Sequence, residues 1–224
     1  MKATLLAHTQ LSDNVSKSDD NMLEDLVAYC ARVSNPANQA NTKTNGKLLD
    51  YLIKHKHWSP FEMASATLEI ETTRDIGRQL LRHRSFSFQE FSQRYADVND
   101  LGDAFVIRDA RMQDTTNRQN SIDCDAEHSD IIIEWTRRQQ AGINLAKENY
   151  NWALDNGIAK EQARVVLPEG NTKSVLYANG TIRSWIHYVE LRASNGTQKE
   201  HMELAVAVAE AIAAIYPKML SHTE

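Results

Sequence analysis

The segment Gln79-Leu80-Leu81-Arg82-His83-Arg84-Ser85-Phe86-Ser87-Phe88-Gln89-Glu90-Phe91-Ser92-Gln93-Arg94-Tyr95 holds more reactive and ligand-binding chemistry than any other part of the chain. Arg74, Arg78, Arg82, Arg84 and Arg94 fall within 21 residues, offset only by Asp75 and Glu90. Helical spacing puts Gln79, Arg82 and His83 on one face. Arg84, Ser87, Ser92 and Arg94 follow from a loop whose backbone amides are free to donate. Guanidinium forks and hydroxyls converging in this way match phosphate oxygens in geometry and charge. A solvated basic helix end is the competing reading, because cations favour the C-terminal end of a helix dipole.

Other reactive side chains are less well supplied. Cys30 sits on an apolar helix face and Cys124 in a polar loop, and neither has basic residues close in sequence to stabilise a thiolate. Cys30 reads as a small buried hydrophobe. Ser92 lacks an evident neighbouring base, so it is assigned to binding rather than attack. His55 and His57 alternate, but no carboxylate or cysteine cluster completes a metal site, and no metal is expected. Arg192 is either a helix-surface cation paired with Glu190 or Glu200, or a site residue. Tyr95 and Trp185 read as packing residues.

The elements that must position these residues follow from periodicity. Leu23, Leu26, Val27, Cys30 and Val33 mark a helix over 22–33, with Asp19, Asp20 and Asn21 as capping candidates. Leu48, Leu49, Leu52 and Ile53 mark another over 46–56, broken by Ser59-Pro60. Alternation of Ala66, Leu68 and Ile70 with Thr67, Glu69 and Glu71 predicts a strand over 63–71 with one wet face. Thr72 or Thr73 then caps a helix to about residue 83, with Ile76, Leu80 and Leu81 inward; 84–94 reads as loop. Residues 97–130 are the least apolar part, with Phe105-Val106-Ile107 as the one strand-like run. Arg108, Arg111, Asn117, Arg118 and Gln119 either line a pocket there or belong to a solvated loop. A long helix over 128–155 carries Ile131, Ile132, Trp135, Ile143, Ala146, Tyr150 and Leu154 and ends at Gly157. A short helix over 159–166, a strand over 173–178, a turn at Asn179-Gly180, and helices over 181–193 and 198–215 complete the chain.

These elements predict an α+β fold, helices packed around a small antiparallel sheet, as one domain over 1–224. The 224 residues carry 42% apolar and 25% charged residues and a formal net charge of -5, an ordinary globular profile that argues against general nucleic-acid binding. Two cysteines without metal-like spacing, a short apolar N-terminal stretch and no run long enough to span a bilayer predict a cytoplasmic protein.

The order of letters in the basic segment adds a further reading. Arg82-His83-Arg84, two residues, Ser87, four residues, Ser92, one residue and Arg94 resembles the signature of the flavin-dependent thymidylate synthases; Gln89 stands where that family usually has Asn. His57-Trp58-Ser59-Pro60-Phe61-Glu62 resembles an upstream family segment. Ala163-Arg164-Val165-Val166-Leu167-Pro168, Arg183-Ser184-Trp185-Ile186-His187-Tyr188 and Leu191-Arg192-Ala193 resemble downstream ones, in family order over about 45–205.

The resemblance implies the reductive methylation of dUMP with FAD, NADPH and 5,10-methylenetetrahydrofolate. It implies that Gln79, Leu80, Leu81, Arg82, Glu90, Phe91, Ser92, Gln93, Arg94, Arg164 and Arg192 hold dUMP. Ser59, Arg82, His83, Arg84, Glu90, Thr181, Ile182, Arg183 and His187 hold FAD by the same resemblance; Thr181 replaces a frequent Asn. His57 is expected near the flavin or folate. Arg192 is the expected catalytic cation, stabilising charge at the N3 side of uracil. The resemblance also implies a homotetramer with sites shared between subunits; the net charge and the lack of a long apolar run lead us to expect no nucleic acid and no membrane as partners. The alternative is a single-stranded nucleic-acid-binding module using the arginines with Phe86, Phe88 and Phe91 as stacking platforms.

Overall fold

The computed structural model describes residues 1–15 and 23–223, so the capping candidates at 19–21 lie outside the described residues. In chain order the strands are β1 (Lys2–His8), β2 (Ser65–Thr73), β3 (Ser87–Glu90), β4 (Arg111–Gln113), β5 (Ser121–Asp123) and β6 (Lys173–Thr181). The α-helices are α1 (Leu23–Ala31), α2 (Asn45–Lys54), α3 (Arg74–Leu80), α4 (Ser129–Asp155), α5 (Lys160–Ala163), α6 (Ile182–Arg192) and α7 (Lys199–Ala213).

Alternation builds the main sheet, an antiparallel array in the order β1-β2-β6-β3. Leu68 pairs with Ala178 and Ile70 with Leu176, so one face of β2 and β6 turns fully buried side chains toward α1, α2, α6 and α7. Each such aliphatic side chain removed from water contributes about 1.5–3 kcal/mol. Trp185 of α6 closes this core; its indole N–H donates to the Ala66 carbonyl at 3.1 Å. In α7, Leu204, Ala205, Val208, Ala209 and Ile212 form the buried stripe expected of a helix lying on a sheet.

Several local expectations are corrected, among them Tyr95, which is exposed rather than packed. Residues 87–90 form a strand rather than loop, pairing Phe88 with Ala178. Asn179-Gly180 is no turn: β6 runs through it to Thr181, because a Cβ at Gly180 would lie 2.4 Å from the Phe86 ring and only glycine admits that approach. Leu81 lies past the end of α3 and is exposed, and Val33 lies past α1 and is exposed. The polar 97–130 stretch contains a β4–β5 hairpin, too short and polar to announce itself by alternation.

Residues 98–105 dock on the second half of α4 through Val98, Phe105, Ile143 and Tyr150. The first half of α4 is different: Ile131, Ile132, Ile133 and Trp135 are exposed. Gly157, at φ +78°, takes the left-handed position just after that helix, and its N–H donates to the Leu154 carbonyl.

Two strand-to-helix junctions position the site. β2 passes directly into α3, and β6 directly into α6. The strands are antiparallel and Thr73 pairs with Lys173 while Ser65 pairs with Thr181, so the two helices start at opposite ends of the sheet. The Thr181 hydroxyl caps α6 by accepting from the Ser184 N–H. Eleven residues of helix, about 16 Å at the α-helical rise, then carry Arg192 back to the turn that follows α3.

Candidate functional site

At that turn the Arg192 Nε–H donates to His83 Nε2 at 3.0 Å. A guanidinium can only donate, so His83 Nε2 must hold a lone pair and the ring must be neutral. Burial, aided by the Arg192 charge, pushes the His83 pKa down to about 4. His83 packs edge-on to Tyr188, centroids 5.1 Å apart. Neither Glu190 nor Glu200 pairs with Arg192. Glu190 meets His222 Nδ1 at 2.9 Å, and Glu200 is taken by Arg108 and Arg111. The Arg192 Nη groups have no protein partner among the described residues. Arg82 and Arg84 flank the pair, exposed, and no carboxylate among the described residues meets either.

The strand after this turn carries the next group. The Glu90 carboxylate accepts from Arg74 at 3.2 Å and from the Ser174 hydroxyl at 2.9 Å, tying β3 to α3 and β6. The Phe91 N–H donates to the Val175 carbonyl, which prolongs the pairing beyond β3. Gln93 is buried, and its amide nitrogen has no partner among the described residues. Arg94 reaches the Glu161 carboxylate at 3.3 Å, and Arg164 Nε donates to the Glu161 carbonyl at 3.3 Å. One acidic residue therefore gathers Arg94 and Arg164, which are far apart in sequence.

A second cluster lies at the start of α6. Glu62, in a 3-10 turn over Ser59–Met63, accepts from Arg183 at 2.5 Å and from the Thr181 hydroxyl at 3.1 Å. Arg183 Nε is buried and unpartnered among the described residues. His187 meets Trp58 edge-on at 4.7 Å; burial and the nearby Arg183 charge lower its pKa. Ser59 is exposed. Leu80 and Ile182 are fully buried, so their side chains belong to the core; the Ile182 N–H is spent on the Ala64 carbonyl. His57 is exposed, its ring 6.0 Å from that of Tyr51. Thr181 and Arg183 thus lie at one end of α6 and His83 with Arg192 at the other, about 13 Å away along the helix, with His187 midway between them.

Beside Gln79 opens a cleft of about 740 Å³ lined by Arg108, Arg111, Arg118, Gln119, Trp135 and Gln198, among others. The low-apolarity segment supplies much of its wall. Arg108 is held by Asp75 at 2.6 Å and by Glu200 at 3.1 Å, so it is a fixed cation rather than a solvated one.

Sequence reasoning missed Glu62, Glu161, Gln198, Glu200 and His201 as site-building residues. Glu62 ends the segment His57–Glu62; Glu161, Glu200 and His201 lie on helices and Gln198 just before α7, and their partners lie 67 to 122 positions away. Cys30 has its thiol pKa raised by burial, opposite to what a nucleophile needs. Phe86 is buried against Trp185, centroids 4.4 Å apart, and Phe88 packs on the core, which removes two of the three stacking platforms a single-strand binder would use. Among the described residues no helix is long and apolar enough to cross a membrane, and no group of three or more His, Cys, Asp or Glu could hold a metal.

Residues 17–218 match the family model described as thymidylate synthase complementing protein. A probable flavin-dependent thymidylate synthase of Paramecium bursaria Chlorella virus 1 is 52% identical over 199 residues, covering 89% of each chain. The flavin-dependent thymidylate synthase of a Synechocystis species is 46% identical over 202 residues, covering 90% of this chain and 89% of its own. The crystal structure of a UMP/dUMP methylase from Streptomyces cacaoi bound with 5-Br dUMP superposes with a TM-score of 0.78 at 30% identity, covering 99% of this chain and 93% of that one.

Proposed function

The chain belongs to the flavin-dependent thymidylate synthases, and from that premise we propose that it converts dUMP to dTMP with FAD, 5,10-methylenetetrahydrofolate as carbon donor and NADPH as reductant. The observation that carries the reading is the meeting of Arg192 with His83 at the turn holding the exposed guanidinium groups of Arg82 and Arg84, which no carboxylate among the described residues meets. The 5-Br dUMP held by the Streptomyces methylase supports a pyrimidine nucleotide as substrate.

Arg82, Arg94, Arg164 and Arg192 bind the nucleotide with Gln79, Leu81, Glu90, Phe91, Ser92 and Gln93; Leu80 contributes backbone alone. The half-buried Arg192 spends its Nε on neutral His83 and keeps its Nη donors for the ligand. There a fixed cation stabilises negative charge at the N3 side of uracil and raises nucleophilicity at C5. No cysteine primes the ring.

FAD fits the remaining donors. Arg82, His83 and Arg84 offer cationic and neutral hydrogen-bond donors suited to a diphosphate, and Arg183 Nε, without a partner among the described residues, offers a further donor. Ser59, Thr181 and His187 complete the set, with Ile182 contributing backbone alone. When bound, FAD supplies the reducing equivalents for the new methyl group; the chain's own groups bind, orient and exclude water.

The protein works as a homotetramer with sites shared between subunits. The exposed Ile131, Ile132, Ile133 and Trp135 of α4 support this, since monomers rarely leave such a run in water.

The test is the absorbance spectrum of the purified protein with FAD, followed by dTMP formation when dUMP, the folate and NADPH are added. Flavin bands and dTMP support the proposal; a protein that takes up no flavin and makes no dTMP refutes it.

A further inference from the structure

His201 is fully buried and lies outside every segment assigned to the site. Its Nδ1 sits 3.1 Å from Gln79 Oε1. Gln79 Nε2 donates to Gln198 Oε1 at 2.8 Å, and Gln198 Nε2 donates to Glu200 Oε2 at 2.9 Å. Glu200 also accepts from Arg111 at 2.5 Å and from Arg108 at 3.1 Å.

The polarity of this chain is forced from its charged end. Burial works against the Glu200 charge, yet the hydrogen bonds from Arg111, its own backbone and Gln198, with the Arg108 charge, hold its pKa down at about 2. An ionised carboxylate only accepts, so Gln198 must turn its NH2 to Glu200 and its carbonyl to Gln79. Gln79 must then present NH2 outward and its carbonyl inward to His201. The inward carbonyl needs a donor, which fixes the His201 proton on Nδ1. The opposite tautomer would leave an N–H at Nε2, a buried atom without a partner among the described residues.

Resting on the proposed nucleotide site, we propose that His201 and Glu200 are positioning residues that lock the Gln79 amide with its nitrogen toward the ligand, so that Gln79 reads an acceptor oxygen of the pyrimidine nucleotide. The oxygen is a uracil carbonyl or a phosphate oxygen; both accept the second N–H of that amide. A flipped amide would present its own oxygen and repel either. Arg108 and Arg111, from the polar segment before α4, act on Gln79 through Glu200.

Nitrogen NMR of the histidine-labelled wild type with bound FAD gives the first readout. Protonated Nδ1 and bare Nε2 at His201 are expected; protonation at Nε2 overturns the proposal whatever the activity. For the second, dUMP affinity is measured in His201→Leu, which removes the donor, and His201→Asn, which keeps one near the Nδ1 position. About a tenfold loss in the first and substantial recovery in the second are expected. In a Gln79→Leu background, His201→Leu should cost nothing more. An equal loss in both backgrounds overturns the proposal, and should His201→Leu fail to fold, Glu200→Gln replaces it in the same cycle. Deoxyuridine in place of dUMP separates the sources: a penalty that persists assigns the uracil carbonyl, one that vanishes assigns the phosphate. Wild type that binds no dUMP would refute the function proposed above; the NMR result would still decide the Gln79–His201 polarity.

Discussion

Arg192 and His83 lie 109 positions apart in sequence, yet the Arg192 Nε–H donates to His83 Nε2 at 3.0 Å. The pair joins the end of α6 to the turn after α3. It also fixes chemistry: the histidine is neutral, and the guanidinium edge left over keeps its charge uncancelled by any protein carboxylate among the described residues.

Removing that cation tests its role. Arg192→Ala is expected to lower turnover about a hundredfold or more, the size associated with loss of one charge-stabilising donor at a reacting centre. Arg192→Lys restores charge without the fork and recovers part of the rate. Steady-state kinetics beside circular dichroism decide it; a folded Arg192→Ala protein with wild-type turnover contradicts the assignment.

Acid should loosen the same region. His83 is held down to about 4 and His201 to about 3, against an ordinary value of 6.5, chiefly by burial. Falling pH protonates these histidines in the unfolded chain first. Their contribution to stability is therefore complete above about pH 6.5 and shrinks as pH drops toward 4 and below. Thermal scans across this window should show Tm falling more steeply in wild type than in His83→Gln. Parallel curves would contradict it.

Gly180→Ala places a methyl 2.4 Å from the Phe86 ring. Ring and strand must part, at about 1–3 kcal/mol, and β3, which carries Glu90, loosens with them. Urea denaturation reads the cost; an unchanged midpoint would mean the ring has room that the packing does not show.

Glu62 holds Arg183 and Thr181 at the other end of α6. Glu62→Gln is expected to weaken FAD binding about tenfold while dUMP affinity, measured with saturating FAD, stays within about twofold. Flavin titration followed by dUMP titration separates the two, and equal losses in both would contradict the division of labour along the helix.

Trp135→Glu with Ile132→Glu sets charges into the exposed apolar face of α4. If that face joins subunits, the double variant elutes smaller than wild type on gel filtration. Identical elution volumes would contradict that assignment.

Strong periodicity and close motif spacing made much of this molecule legible in sequence. The alternation of β2, the buried Leu23 and Val27 of α1 and the buried Leu49 and Leu52 of α2 stand where the residues predict, whereas Leu26, Cys30, Leu48 and Ile53 are only partly buried and Val33 is exposed. What escaped is long-range. β3 is four residues long and needs β6, nearly ninety positions on, to be a strand at all. Gly180 looked like a turn because glycine's other use, admitting a neighbour's ring, depends on a Phe86 that sequence does not bring near. Glu200 and His201 carry no local signal, because their meaning lies in Arg111 and Gln79. The exposed Ile131, Ile132 and Ile133 of α4 are the same letter as Ile143, which the same helix buries.

Single-turnover mixing under anaerobic conditions tests the central claim most directly. Protein carrying NADPH-reduced flavin is given dUMP and methylenetetrahydrofolate, and flavin absorbance is followed together with dTMP. Flavin reoxidation matching dTMP one for one is predicted, both slowed together by Arg192→Ala. Formation of dTMP without any change in the flavin, or flavin oxidation without dTMP, would contradict it.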